Sequence, residues 1–119
     1  MLDHGIALAF GTDYPVESVA PLRGLYAALT RLPEPAAVGA PVPAYFPEER
    51  LSFAQALYAY TQGSAYAEKM EQVKGRLVVG QLADFVVLDR DLLKSSPQEI
   101  LKARVLRTVV GGKTVYESP

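Results

Sequence analysis

Apolar residues run without interruption from Gly5 to Phe10 and stop at Gly11, after which Thr12, Asp13, Tyr14, Pro15, Val16 and Glu17 follow. A short uncharged run closed by glycine reads as a buried strand, with Asp13 at its C-terminal end. Leu22, Leu25, Tyr26 and Leu29 then recur at helical spacing behind Pro21, which predicts an amphipathic helix ending near Arg31. From Leu32 to Glu48 the chain carries Pro33, Pro35, Pro41, Pro43 and Pro47, with Gly39 among small residues. Fixed φ and missing donors forbid a regular element there, so an extended loop is expected. Ser52 and Gln55 form a capping-box pair, and Phe53, Ala56, Leu57 and Tyr60 give the second helix one apolar stripe that Gly63 is expected to end. Ser64 to Met70 predicts a further helical turn leading to Gly75.

The last third changes period. Phe85 to Leu88 is a continuous aromatic and β-branched run, the composition of a strand covered on both faces. Ser96, Pro97 and Glu99 supply the cap, first-turn proline and capping acid of a short helix through Lys102. Val105–Val110 and Thr114–Glu117 flank Gly111-Gly112, and two residues that both accept positive φ are what a primed hairpin turn demands. The expected fold class is therefore α+β. No internal repeat is present.

With 119 residues, 12 Lys+Arg against 13 Asp+Glu and no cysteine, composition mainly excludes. A chain of this length builds one modest core. Near-neutral charge leaves no footprint for nucleic acid or an anionic membrane. The absence of cysteine removes thiol chemistry and fits a reducing compartment. No apolar segment approaches the ~20 residues of a membrane span, and there is no signal-like N-terminus, so a cytoplasmic protein is expected.

The Gly11-Thr12-Asp13-Tyr14-Pro15 stretch, the Gly80-Gln81-Leu82-Ala83-Asp84-Phe85-Val86-Val87-Leu88-Asp89 stretch and the closing Val109-Val110-Gly111-Gly112-Lys113 together resemble the C-terminal portion of a metal-dependent amidohydrolase, closest to amidohydrolase family 3. The resemblance spans nearly the whole chain. It implies that residues 1–74 are the end of a (β/α) barrel, with Gly5–Phe10 its last strand, and that residues 75–119 belong to a small C-terminal β-sandwich. It also implies a hydrolase of non-peptide carbon–nitrogen bonds using a divalent metal, zinc foremost, on a small-molecule amide or related substrate. Asp13 matches the family's metal-binding aspartate, which also takes a proton from the attacking water. A carboxylate suits both roles, since one oxygen can ligate a cation while the other accepts a proton. On residue type alone, an Asx-type turn before Pro15 is the plainer reading of Asp13.

The family's other ligands, a His-x-His pair, later histidines and often a lysine, have no counterparts. His4 lies before the apolar run, about 30 Å from Asp13 at ~3.3 Å per residue of strand, and reads as a terminal surface residue. One carboxylate cannot hold zinc usefully. The chain is therefore expected to be a truncated or expressed fragment, inactive and metal-free alone, or else a non-catalytic structural or interaction module derived from an amidohydrolase. Apolar surface meant for a barrel implies a homo-oligomer through Ile6, Leu8 and Phe10 or through the Leu22–Leu29 stripe, or a separate chain supplying the rest of the barrel. Tyr14 and Glu17 are candidate substrate contacts in such a parent. Asp84 and Asp89 read as turn and strand-end residues, Gly75 and Gly80 as turn glycines, and Tyr58, Tyr60 and Tyr66 as packing residues.

Overall fold

A capping box closes on itself within three residues, and both expected boxes form. Ser52 Oγ accepts from Gln55 N–H at 3.3 Å while Gln55 Oε1 accepts from Ser52 N–H at 2.8 Å, starting α2 (Phe53–Tyr58). Ser96 and Glu99 do the same for α4 (Pro97–Ile100), and the hydrogen bonds from Ser96 hold the Glu99 carboxyl below its usual range. Helix α1 (Pro21–Thr30) has proline in its first turn and ends where Arg31 turns left-handed, its N–H reaching the Ala27 carbonyl. The computed structural model describes residues 2–33 and 42–119, so the middle of the expected proline-rich loop, residues 34–41, lies outside the described residues. Its exit is tied back: Tyr45 N–H donates to the Arg31 carbonyl at 2.9 Å and Arg31 Nε donates to the Tyr45 carbonyl at 3.0 Å.

Leu25, Ala56 and Ile100 form the buried cluster, with Leu22, Leu29, Phe53 and Tyr60 packed against it. The Leu22–Leu29 stripe thus packs against α2 and α4 of the same chain, with Leu25 and Tyr26 buried and Leu22 and Leu29 half-buried. Ile100 is the one large side chain fully buried among the described residues, so the core is thin. Burial of such a side chain stabilises by about 1.5–3 kcal/mol. The radius of gyration, 15.2 Å, exceeds the roughly 13–14 Å of a compact domain this long.

Two expectations fail for the same reason. Ile6–Phe10 takes no regular secondary structure and joins no strand among the described residues, because a ladder needs a neighbour and sequence composition cannot supply one. Phe85–Leu88 does form β1, yet Phe85, Val86 and Val87 are 37%, 53% and 40% exposed rather than covered. Strand β1 pairs antiparallel with β2 (Val105–Val110), which pairs antiparallel with β3 (Lys113–Glu117), in the order β1-β2-β3. Val109 is the sheet's one buried residue, Leu88, Val105 and Thr108 are half-buried, and the other strand residues are exposed. Gly63 does not end a helix either. The chain passes through a π turn, Ala59–Gly63, directly into α3 (Ser64–Ala67).

The hairpin forms as expected, with φ of +56° at Gly111 and +76° at Gly112. Asp84 has a larger part than a turn residue: its Oδ1 accepts the Gly111 N–H at 2.6 Å, and Ala83 C=O accepts the Gly112 N–H at 3.1 Å. The tip of the hairpin is thereby fastened to the start of β1. A Gly111→Ala, Gly112→Ala double variant forces left-handed backbone on residues with a Cβ, at about 1–2 kcal/mol each. Its urea midpoint should fall well below that of the parent, while Asn-Gly at the same positions is tolerated. Equal midpoints would contradict the turn.

Asp89 ends β1 as an ionic hub. It accepts from Arg90 Nε at 3.0 Å, from the Arg104 main-chain N–H at 3.0 Å and from Arg104 Nε at 3.3 Å. The hydrogen bond from Arg90, then that from the Arg104 backbone, hold its carboxyl well below the usual carboxylate range. A carboxyl depressed on folding contributes stability that is complete above its unfolded value, near pH 4, and is lost as pH falls through the folded value. Asp89→Asn should lower the melting temperature at neutral pH, and the gap to the parent should close on acidification below about pH 4. A gap that stays constant with pH would remove this role.

Candidate functional site

Asp13 stands at the exit of the apolar segment Ile6–Phe10. It has φ +51° and opens a turn over Asp13–Val16, with its carbonyl accepting the Val16 N–H at 2.8 Å and a cis Tyr14-Pro15 bond within it. The side chain is exposed, and no hydrogen bond or ion pair holds the carboxylate among the described residues. Tyr14 is exposed beside it. Glu17 instead joins Gly11, Thr12, Ser18, Arg23 and Tyr60 around a groove of about 420 Å³ at the foot of the turn. That lining brings a carboxylate, a guanidinium and three hydroxyls together over an apolar floor. His4 sits in a single 3-10 turn, Leu2–His4, exposed and away from this lining.

The segment leading to Asp13 is held by helix residues. Phe10 N–H donates to the Ala59 carbonyl at 3.0 Å, and Ser64 Oγ lies 2.7 Å from the Phe10 carbonyl and 3.0 Å from the Ala59 carbonyl. A hydroxyl has one proton, so Ser64 shares it between the two. The Phe10 ring meets Tyr60 edge-on, with centroids 5.4 Å apart. Tyr60 in turn fits over Gly24, whose missing Cβ would lie 1.7 Å from the Tyr60 hydroxyl, and burial lifts that hydroxyl above its ordinary range. Tyr60 is therefore a packing residue, as expected, and Tyr58 and Tyr66 are exposed. The contributions of Gly63 and Ser64 were not apparent in the sequence. A small pair, Gly-Ser, directly after an aromatic helix stripe is the signal that backbone approaches there.

Among the described residues, no group of three His, Cys, Asp or Glu side chains could hold a metal ion. Asp13 supplies one carboxylate, so the donor set of these residues does not fit a metal centre by itself.

The chain matches known amidohydrolases in sequence and in fold. The family model for the amidohydrolase family matches residues 1–116. YtcJ of Bacillus subtilis (strain 168) is 34% identical over 117 residues, covering 98% of this chain and 22% of that protein. The N-substituted formamide deformylase of Arthrobacter pascens is 32% identical over 117 residues, covering 98% of this chain and 20% of the enzyme. A crystal structure of an amidohydrolase from Thermotoga maritima MSB8 superposes with a TM-score of 0.62 at 23% identity, over 98% of this chain and 24% of that one. The chain belongs to the amidohydrolase family, and it spans about a fifth of the length of the curated relatives it matches.

Proposed function

We propose that this chain is the C-terminal portion of a metal-dependent hydrolase acting on non-peptide carbon–nitrogen bonds of small molecules, with Asp13 as metal ligand and proton acceptor. The observation that carries this reading is the placement of Asp13: an exposed carboxylate with no partner among the described residues, at the exit of the apolar segment, in a chain matched to the amidohydrolase family over residues 1–116. A divalent cation, zinc foremost, supplies water activation in such enzymes when bound. The described residues offer it one ligand, so no catalytic step is assigned to this chain alone. The missing ligands would come from residues 5–10's absent strand neighbours, on the same polypeptide or on another chain. Residues 1–74 would then close the barrel, and residues 75–119 would belong to a flanking β-sandwich. Exposed Ile6 and the open faces of β1 and β2 support a partner of that kind, or a second copy of this chain. A cytoplasmic setting suits a chain without cysteine. No helix among the described residues is long and apolar enough to cross a membrane.

Metal analysis tests the proposal. After dialysis the purified chain should retain far less than one zinc per molecule and turn over no N-substituted formamide, the substrate class that the Arthrobacter pascens relative is named for. Stoichiometric zinc abolished by Asp13→Asn would show that the chain completes its own site. Zinc unaffected by that change would place the metal elsewhere.

A further inference from the structure

We infer that Ser64 is a positioning residue for Asp13, acting through the main chain of Phe10. This rests on the proposed role of Asp13 and extends it to a residue on a different element, fifty-four positions from Phe10.

The carboxylate of Asp13 has no side-chain partner among the described residues, so its place in space is set by the backbone that delivers it. That backbone, Ile6–Phe10, has no strand beside it among the described residues. What fixes it is the π turn. At Phe10 both main-chain groups are engaged on the same short stretch of helix, the N–H by the Ala59 carbonyl and the C=O by the Ser64 hydroxyl. Two bonds to one residue, one donated and one accepted, are what a neighbouring strand gives a paired residue. The π turn makes this possible by bringing the Ala59 carbonyl within 3.0 Å of both the Phe10 N–H and the Ser64 hydroxyl, and single-turn π segments often mark such functional sites. Gly63 completes the arrangement, since Leu8 C=O passes 2.0 Å from where a Cβ would stand. Only Gly11 and Thr12 separate this anchor from Asp13. Removing the Ser64 hydroxyl frees the Phe10 carbonyl and lets the end of the segment shift.

The test uses the chain as it is, isotopically labelled, with amide residual dipolar couplings read at Gly11, Thr12 and Asp13. In Ser64→Ala those couplings should change and amide exchange at Phe10 should quicken by about fivefold. Ser64→Thr, which keeps the hydroxyl, should restore both. Asp84→Ala, which weakens the distant hairpin fastening, should lower stability while leaving all three couplings at parental values. Couplings unchanged in Ser64→Ala, or changed equally in Asp84→Ala, would overturn the inference. Should Ser64→Ala fail to fold, Ser64→Cys takes its place under the same criterion, because a thiol is a weak, longer donor. The role of Asp13 itself is judged by Asp13→Asn kinetics, which Ser64 does not enter, so either idea can fail alone.

Discussion

Gly63→Ala should destabilise the chain by roughly 1–3 kcal/mol, although the same exchange inside an ordinary helix gains up to about 1 kcal/mol. The reason lies in which atoms the new Cβ meets. At Gly63 they are the carbonyl oxygen and carbon of Leu8, at 2.0 Å and 3.1 Å, and main chain cannot swing aside as a side chain does. The Ile6–Phe10 segment must lift off. Lifting it breaks two hydrogen bonds at Phe10, worth about 0.5–1.5 kcal/mol each, and the edge-on contact with Tyr60, worth a similar amount. Gly24→Ala makes an instructive control. Its Cβ meets the free end of the Tyr60 ring, so rotation of one side chain relieves part of the clash and the loss should be smaller. Chemical denaturation of the two variants side by side measures this. A Gly63→Ala chain as stable as the parent would mean that the Leu8 carbonyl does not rest against Gly63.

Asp13→Asn carries the largest expected effect on activity. In an assembly where the rest of the barrel is present, kcat should fall by about 10²–10⁴, the range for losing a positioned proton acceptor. Asparagine keeps the shape and one coordinating oxygen, but it cannot take the proton of an attacking water. Substrate binding that leaves KM within a few-fold would separate lost proton transfer from lost shape. An Asp13→Asn enzyme within tenfold of the parent would remove Asp13 from the chemistry and return it to the turn-residue reading.

The elements legible in the sequence are those decided within a few residues. Both capping boxes, the Pro21 helix start and the Gly111-Gly112 turn are local bargains between neighbours, and each forms. What could not be read is settled at a distance. Whether Ile6–Phe10 becomes a strand depends on neighbours that periodicity does not report. Gly63 looks like a helix stop because glycine usually is one, but its φ is helical and its purpose is the approach of Leu8. Asp84 was legible as a turn residue, yet the turn that it serves lies twenty-seven positions further on. The candidate site divides in the same way: motif resemblance singles out Asp13, while its support through Ser64 and Ala59 emerges only when helix and segment are seen together.

The burial of Ile100 between α1 and α2 bears on how the chain is made. A ribosome releases Leu25 and Ala56 long before Ile100, so the helical pair must wait with its apolar faces open until the C-terminal third has emerged. Contacts so distant in sequence close slowly. Neither the helices nor the sheet should therefore survive as a separately expressed half, and synthesis halted before Ile100 would leave a nascent chain that chaperones hold and proteases clear.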